Sequence, residues 1–193
     1  MRVGFAPVTA AASAGFCLDE AELRLVFDGF RVLGRTWRDA ALAGRDIGFG
    51  NIAGLAAVLH QGARRQLPCG AGTQLLAADA DGGLHLCHRF VGSDVATLGT
   101  TAGGIDRAAV EGFVARARDR VATFCESCLA RPVCAGGCYH ESQVRHGDPF
   151  RLTDHYCALM RAWVSFGIGV YADVMAKNPG FFATHAQPRR AAT

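Results

Sequence analysis

Residues 125–138 read CESCLARPVCAGGC, with the spacing Cys125-x2-Cys128-x5-Cys134-x3-Cys138. Working outward, Cys157 follows, and Cys69-x12-Gly82-x4-Cys87 precedes; only Cys17 stands apart. Thiols grouped this densely mark what the chain is built around. A four-iron cluster takes four thiolates, some close in sequence and one from a distance. Gly136-Gly137 lets the backbone turn sharply before Cys138, and amides in such a turn can donate to sulfur and steady a buried anionic centre. Cys-x2-Cys also opens many zinc sites, but those use neat pairs, and seven cysteines do not divide into two all-cysteine tetrahedra. A disulfide framework is the third reading. In a reducing compartment dense thiols point to metal or redox chemistry instead. The spacing favours iron–sulfur and leaves the other two open.

Composition sets the outer bounds. The chain has 193 residues, half of them apolar, which is enough for a real core. A formal charge of +3 is too small, and its arginines too scattered, to form the basic face that nucleic acid needs. The N-terminal stretch is interrupted by Pro7, Thr9 and Ser13 and has no sustained apolar run of signal-peptide length. The most apolar stretch, residues 162–172, is shorter than the ~20 residues a membrane span requires. The expectation is a cytoplasmic protein with neither nucleic acid nor membrane as partner.

Residues 3–9 read as a short buried strand. A helix is predicted to start near Asp19, with Leu23, Val26, Phe27, Phe30 and Leu33 on its inner face. After the break at Gly44 and Gly48, a second helix is predicted over residues 52–63. Residues 73–77 and 84–87 read as two strands of a hairpin around Asp79 to Gly83, where the Asp-Gly step supplies the positive-φ position. Asp106 is placed to cap a helix running to Phe124, with Val110, Phe113, Val114 and Val121 inward. A last helix runs from Asp154 to Met175, before Asn178-Pro-Gly180. The fold class is α+β.

At this point the residues resemble a known module. The ordered set of seven cysteines with Gly82 resembles the SPASM domain, the C-terminal extension of radical SAM peptide-modifying enzymes, over residues 67–160. Phrases such as LCHRFVG (86–92), ARPVCAGGCYHE (130–141), HYC (155–157) and NPGF (178–181) are similar to the maturation family of quinohemoprotein amine dehydrogenase, which forms thioether crosslinks in the dehydrogenase small subunit. The resemblance implies two auxiliary [4Fe–4S] clusters. The first would use Cys69, Cys87 and Cys138 and lack a fourth cysteine; the second would use Cys125, Cys128, Cys134 and Cys157. It also implies that residues 1–66 are the tail of a partial (β/α) barrel and that 161–193 form a C-terminal helix and tail. A peptide or protein substrate, such as that small subunit, and a reductant protein are the implied partners. No Cys-x3-Cys-x2-Cys triplet occurs. SAM and its own cluster are therefore expected in a longer form of the chain or in a partner chain, and this chain alone is expected to be inactive. The relatives' catalytic Asp after the Gly-x4-Cys cysteine is replaced by His88, so no catalytic residue is assigned. The alternatives are a non-catalytic iron–sulfur electron-transfer or peptide-binding module and a zinc-binding interaction domain.

Other residues divide between roles. Cys17 reads as a small apolar packing residue. His88 and Arg89 are equally placed to serve the site or to form a solvent-facing or packing pair, and Tyr139, His140 and Glu141 to support the site or to be the polar residues of a helix start. The Asp79/Asp81 pair reads as turn chemistry. Phe181-Phe182 reads as a packing anchor, and residues 185–193 as a loose tail.

Overall fold

The computed structural model describes residues 3–5 and 18–185. The readings of Cys17, of most of the strand over 3–9, and of the tail beyond 185 lie outside the described residues. Within them, helices dominate and two small antiparallel hairpins complete a mixed α+β chain.

Helix α1 (Glu20–Leu42) begins as the sequence predicts. The Asp19 carboxylate accepts from the Glu22 amide at 2.8 Å, and the Glu22 carboxylate accepts from the Asp19 amide at 3.0 Å. This reciprocal box satisfies two of the donors that a helix start leaves open. Its buried stripe follows Leu23, Phe27, Phe30, Gly34, Trp37 and Ala41, a 3.6-residue repeat. Leu33, predicted inward, is 40% exposed. It lies one position off the stripe, because Gly34 occupies the contact: a Cβ there would meet the Phe166 ring at 2.5 Å. Helix α2 (Gly50–Gln61) starts two residues before its predicted range and stops at Gly62, whose φ of 60° makes it a left-handed cap. Val3 forms an isolated parallel bridge with Phe49 ahead of it, but Val3 and Phe5 are exposed, so the described part of the strand expected over 3–9 is not buried.

The expected hairpin is present, but its first strand is shorter and displaced: residues 73–74 lie in a turn, and only Ala77 of the predicted range is in a strand. Strand β1 (Ala77–Ala78) pairs with β2 (Leu84–His85) in the register Ala77↔His85 and Ala78↔Leu84. Gly82, with φ 84°, sits in the turn. Asp79 does the turn chemistry expected of it: its carboxylate accepts from the Gly83 amide at 2.8 Å and the Asp81 amide at 3.0 Å. A second hairpin, β3 (Gly99–Thr100) with β4 (Gly104–Ile105), leans on the first through a Gly83↔Thr100 bridge. Then come α3 (Arg107–Phe124), α4 (Arg131–Cys134), α5 (Tyr139–His146), α6 (Asp154–Lys177) and α7 (Gly180–His185). The Asp106 carboxylate caps α3 by accepting from Ala109 N at 3.0 Å.

Two main cores result. In the larger, α6 runs along α1 and α2, with Phe27, Phe30, Phe49 and Trp163 forming an aromatic group. Helix α7 folds back so that Phe181, 4% exposed, meets Trp37 edge-on at 5.5 Å. The anchor reading of Phe181-Phe182 holds. The segments before residue 67 and after 160 therefore share one core. The smaller core joins Leu86, Phe90, Leu98, Phe113, Ala117 and Tyr139 around the hairpins and α3. By length and composition α6 is the one helix among the described residues long and apolar enough to cross a membrane, although the apolar run within it is shorter. Its Trp163, Val164, Gly167, Val170 and Val174 are buried in the larger core.

Candidate metal centre

Cys128 and Cys134 pack on the larger core, Cys87 on the smaller, and Cys125 in a small cluster with Val121 and Ala135. Helix α3 delivers Cys125 as its C-terminal cap, the amide bonding back to Val121 O at 3.2 Å. The chain then closes a turn, Cys128 N to Cys125 O at 3.1 Å, and α4 carries Cys134 at its end. Ala135, Gly136 and Gly137 follow with φ of 48°, 93° and 80°. Three successive left-handed residues reverse the backbone, and glycine is what makes that geometry affordable. Cys138 follows the reversal as the N-terminal cap of α5. Cys157 stands in the first turn of α6, its amide bonded to Thr153 O at 3.0 Å. Cys87 caps a short 3₁₀ turn, His88–Phe90, and Cys69 lies exposed in the loop after α2.

All seven are free thiols, so none is in a disulfide. Their mutual electrostatics sorts them into two sets. The thiol of Cys69 is raised first by the protein mass on its inner side, then by the Cys138 and Cys87 sulfurs. Burial pushes Cys134 up to about 11, and Cys157, Cys125 and Cys128 add to the shift. Cys157 is raised by burial and then by Cys125 and Cys128; Cys125 is raised by burial and then by Cys128. One set is thus Cys69, Cys87 and Cys138; the other is Cys125, Cys128, Cys134 and Cys157. A thiolate beside other thiolates is repelled, so within each set burial and neighbouring sulfur both favour the neutral thiol. Amide donors are in place as well. The Ala71 amide bonds to Cys69 and the Gly136 amide to Cys134, each opposing the upward shift.

Among the described residues, no three His, Cys, Asp or Glu side chains come close enough to grip a single metal ion. Tetrahedral zinc at ~2.3 Å from each sulfur would require thiolates within about 4 Å of one another. A cubane is wider and holds its sulfurs farther apart.

Around the sets, Arg89 turns inward while His88 is exposed. Arg89 Nη1 donates to Cys138 Sγ at 3.4 Å, and Nη2 donates to the buried Glu141 carboxylate at 2.7 Å. The undecided His88–Arg89 reading therefore splits, with Arg89 at the site. Tyr139, His140 and Glu141 form the first turn of α5, in line with the helix-start reading, and all three are buried. Tyr139 packs edge-on against Phe113 at 4.9 Å, and His140 against Phe90 at 5.3 Å. A cavity of about 490 Å³ opens beside the larger core, with Phe27, Trp163, Cys69, Cys134, Cys138 and Glu141 in its wall. It touches members of both thiol sets.

One residue went unread in the sequence. Arg120 is 2% exposed, and it donates to the carbonyls of Pro149 (2.7 Å), Gly137 (3.0 Å) and Gly136. A signal was available, because Phe113, Ala117, Arg120 and Val121 fall on one helical stripe and an arginine in that register has to go inside. No protein-family model matches the chain, and no curated protein matches its sequence.

Proposed function

We propose that this chain is the auxiliary iron–sulfur portion of a radical SAM peptide-modifying enzyme of the SPASM type, acting on a peptide or protein substrate in the cytoplasm. The observation that carries this is the sorting of seven free thiols into a set of three and a set of four. Those are the ligand sets that the resemblance implies, although the cysteines interleave along the chain. Cys69, Cys87 and Cys138 would hold one [4Fe–4S] centre; Cys125, Cys128, Cys134 and Cys157 would hold the other. When bound, such centres supply one-electron carriers whose potential depends on charge, hydrogen bonds to sulfur and solvent access.

The protein's own contribution is positional. The Gly136 and Ala71 amides and the Arg89 guanidinium donate to sulfur, which favours the thiolate form that a metal needs. Flanking residues 1–66 would be the end of a (β/α) barrel, and SAM with its own cluster would come from a longer form or a partner chain. A peptide or protein in which a thioether is to be formed, such as the dehydrogenase small subunit, is the substrate class proposed, with a reductant protein as electron source.

The test is anaerobic reconstitution with iron and sulfide. About eight irons per chain and broad absorbance near 400 nm are expected, as two four-iron clusters require. Cys69→Ala should disturb one centre and Cys157→Ala the other, each leaving roughly half the iron. A colourless protein that takes up zinc instead sinks the proposal.

A further inference from the structure

An arginine is seldom buried without an acid beside it, because taking a charge out of water is costly unless an opposite charge answers it. Arg120 is such a case. It comes off the inner face of α3 and is enclosed; its partners are three backbone carbonyls, and among the described residues no carboxylate pairs with it. Its Nε is buried with no acceptor at all. The guanidinium lies 5.0 Å over the Tyr139 ring. Carbonyls satisfy donors, but they do not neutralise a full charge.

The groups around it say where the missing negative charge belongs. Two of its carbonyl partners, Gly136 and Gly137, form the reversal between Cys134 and Cys138. A Cβ at Gly136 would sit 2.6 Å from Nη2, so the guanidinium is fitted against that turn. Burial weakens the hold of Arg120 on its proton, while Tyr139, Cys125, Cys134 and Cys157 act in the opposite sense when ionised. Three of those four groups belong to the four-thiol set, while Cys69 of the other set also feels the Arg120 charge, more weakly than it feels Cys138 and Cys87. Arginine nevertheless stays charged inside proteins.

Resting on the function proposed above, we infer that Arg120 is the buried counter-cation of the centre held by Cys125, Cys128, Cys134 and Cys157, and that its charge raises the reduction potential of that centre. A fixed positive charge in a poorly screened interior favours the more negative, reduced form of a nearby redox group. By holding the Gly136 and Gly137 carbonyls, the same side chain keeps Cys134 turned toward this set and Cys138 toward the other. Arg120 is thus a positioning residue whose charge is part of its role.

The test uses the full chain, reconstituted anaerobically and titrated with dithionite while the paramagnetic signals of the reduced centres are followed. Wild type is compared with Arg120→Met and Arg120→Lys, and the same substitutions in a Cys69→Ala chain assign the signals. The expected result is a downward shift of the four-thiol centre's potential in R120M, with R120K restored most of the way and the other centre moved less. If R120M does not take up iron, R120K decides. Iron uptake with a potential near wild type supports the role of charge, and failure of both variants leaves shape alone as the role and overturns the inference. Iron-loaded R120M with unchanged potentials likewise makes Arg120 a structural clamp only. A wild-type chain that binds no iron is a different result: it removes the proposed function, and this inference with it.

Discussion

Replacing Gly136 by alanine tests the reversal between Cys134 and Cys138, with Gly147→Ala as its control. Both glycines have left-handed backbones, at φ 93° and 66°. For an alanine this costs about 1–2 kcal/mol at either site, and the smaller unfolded-state entropy of alanine offsets roughly 0.4–1 kcal/mol of it in both. The sites differ in what the new methyl meets. At Gly147 there is nothing within 4 Å. At Gly136 the methyl would lie 2.6 Å from Nη2, 2.8 Å from Nε and 3.1 Å from Cζ of Arg120. That guanidinium is enclosed and tied to three carbonyls, so it cannot swing aside without losing bonds. A hydrogen bond to a charged group is worth about 1.5–3 kcal/mol, so losing one or more puts Gly136→Ala roughly 2 kcal/mol or more below Gly147→Ala. In a chain of this length 1 kcal/mol moves the midpoint by about 2–4 °C. Thermal melts by circular dichroism on matched preparations should therefore separate the two variants by roughly 4 °C or more. Equal midpoints would refute the claim that Arg120 is locked against the turn.

Three other outcomes follow from the same reasoning. Phe181→Ala removes an aromatic ring packed on Trp37 and should cost about 3–5 kcal/mol in urea unfolding, as for other large-to-small core changes; a loss under about 1 kcal/mol would mean that α7 is not part of the core. In metal-free protein, iodoacetamide should label Cys134 far more slowly than the exposed Cys69 at pH 8, because burial pushes the Cys134 thiol up to about 11 and only the thiolate reacts. Its labelling rate should climb with pH until about 11, and mass spectrometry of the labelled peptides checks it. Asp79 is held below the usual carboxylate range, first by its 2.6 Å bond with His85 and then by the Gly83 amide. A depressed acid stabilises above its unfolded pKa of about 3.9 and ceases to as pH falls through its native value. The urea-midpoint gap between wild type and Asp79→Asn should accordingly be present at pH 7 and shrink toward pH 3; a gap independent of pH contradicts the pairing.

What the sequence disclosed tracks the length over which each signal repeats. Helix α1 declares itself by Asp19 and Glu22 and by several turns of apolar spacing, and α3 by Asp106. The hairpin over Gly99 to Ile105 has strands too short for alternation to register, and it was not predicted. Leu33 faces outward because the stripe drifts around the helix and Gly34 takes the contact with Phe166. At the site, the cysteine spacing was legible because it is chemistry written in sequence. The burial of Tyr139, His140 and Glu141 was not, since it depends on Phe90 and Phe113 arriving from other elements. Arg120 is the instructive omission. Its register marks it as buried, but only the fold brings the carbonyls of Gly136, Gly137 and Pro149 around it.

Helix α6 begins among thiols and ends among aromatics. Its first turn carries Cys157, and its later turns press Trp163, Val164, Val170 and Val174 into α1 and α2. At 24 residues it is a rod of about 36 Å, stiff enough for its two ends to move together. Anything that fixes Cys157 in place fixes the register of this rod, and by linkage it must also favour the packing at the far end. Filling the four-thiol set is therefore expected to slow hydrogen exchange at the Val170 and Val174 amides, which do not touch it. The helix would act as a gauge, reporting from the opposite core whether the thiols have found their metal.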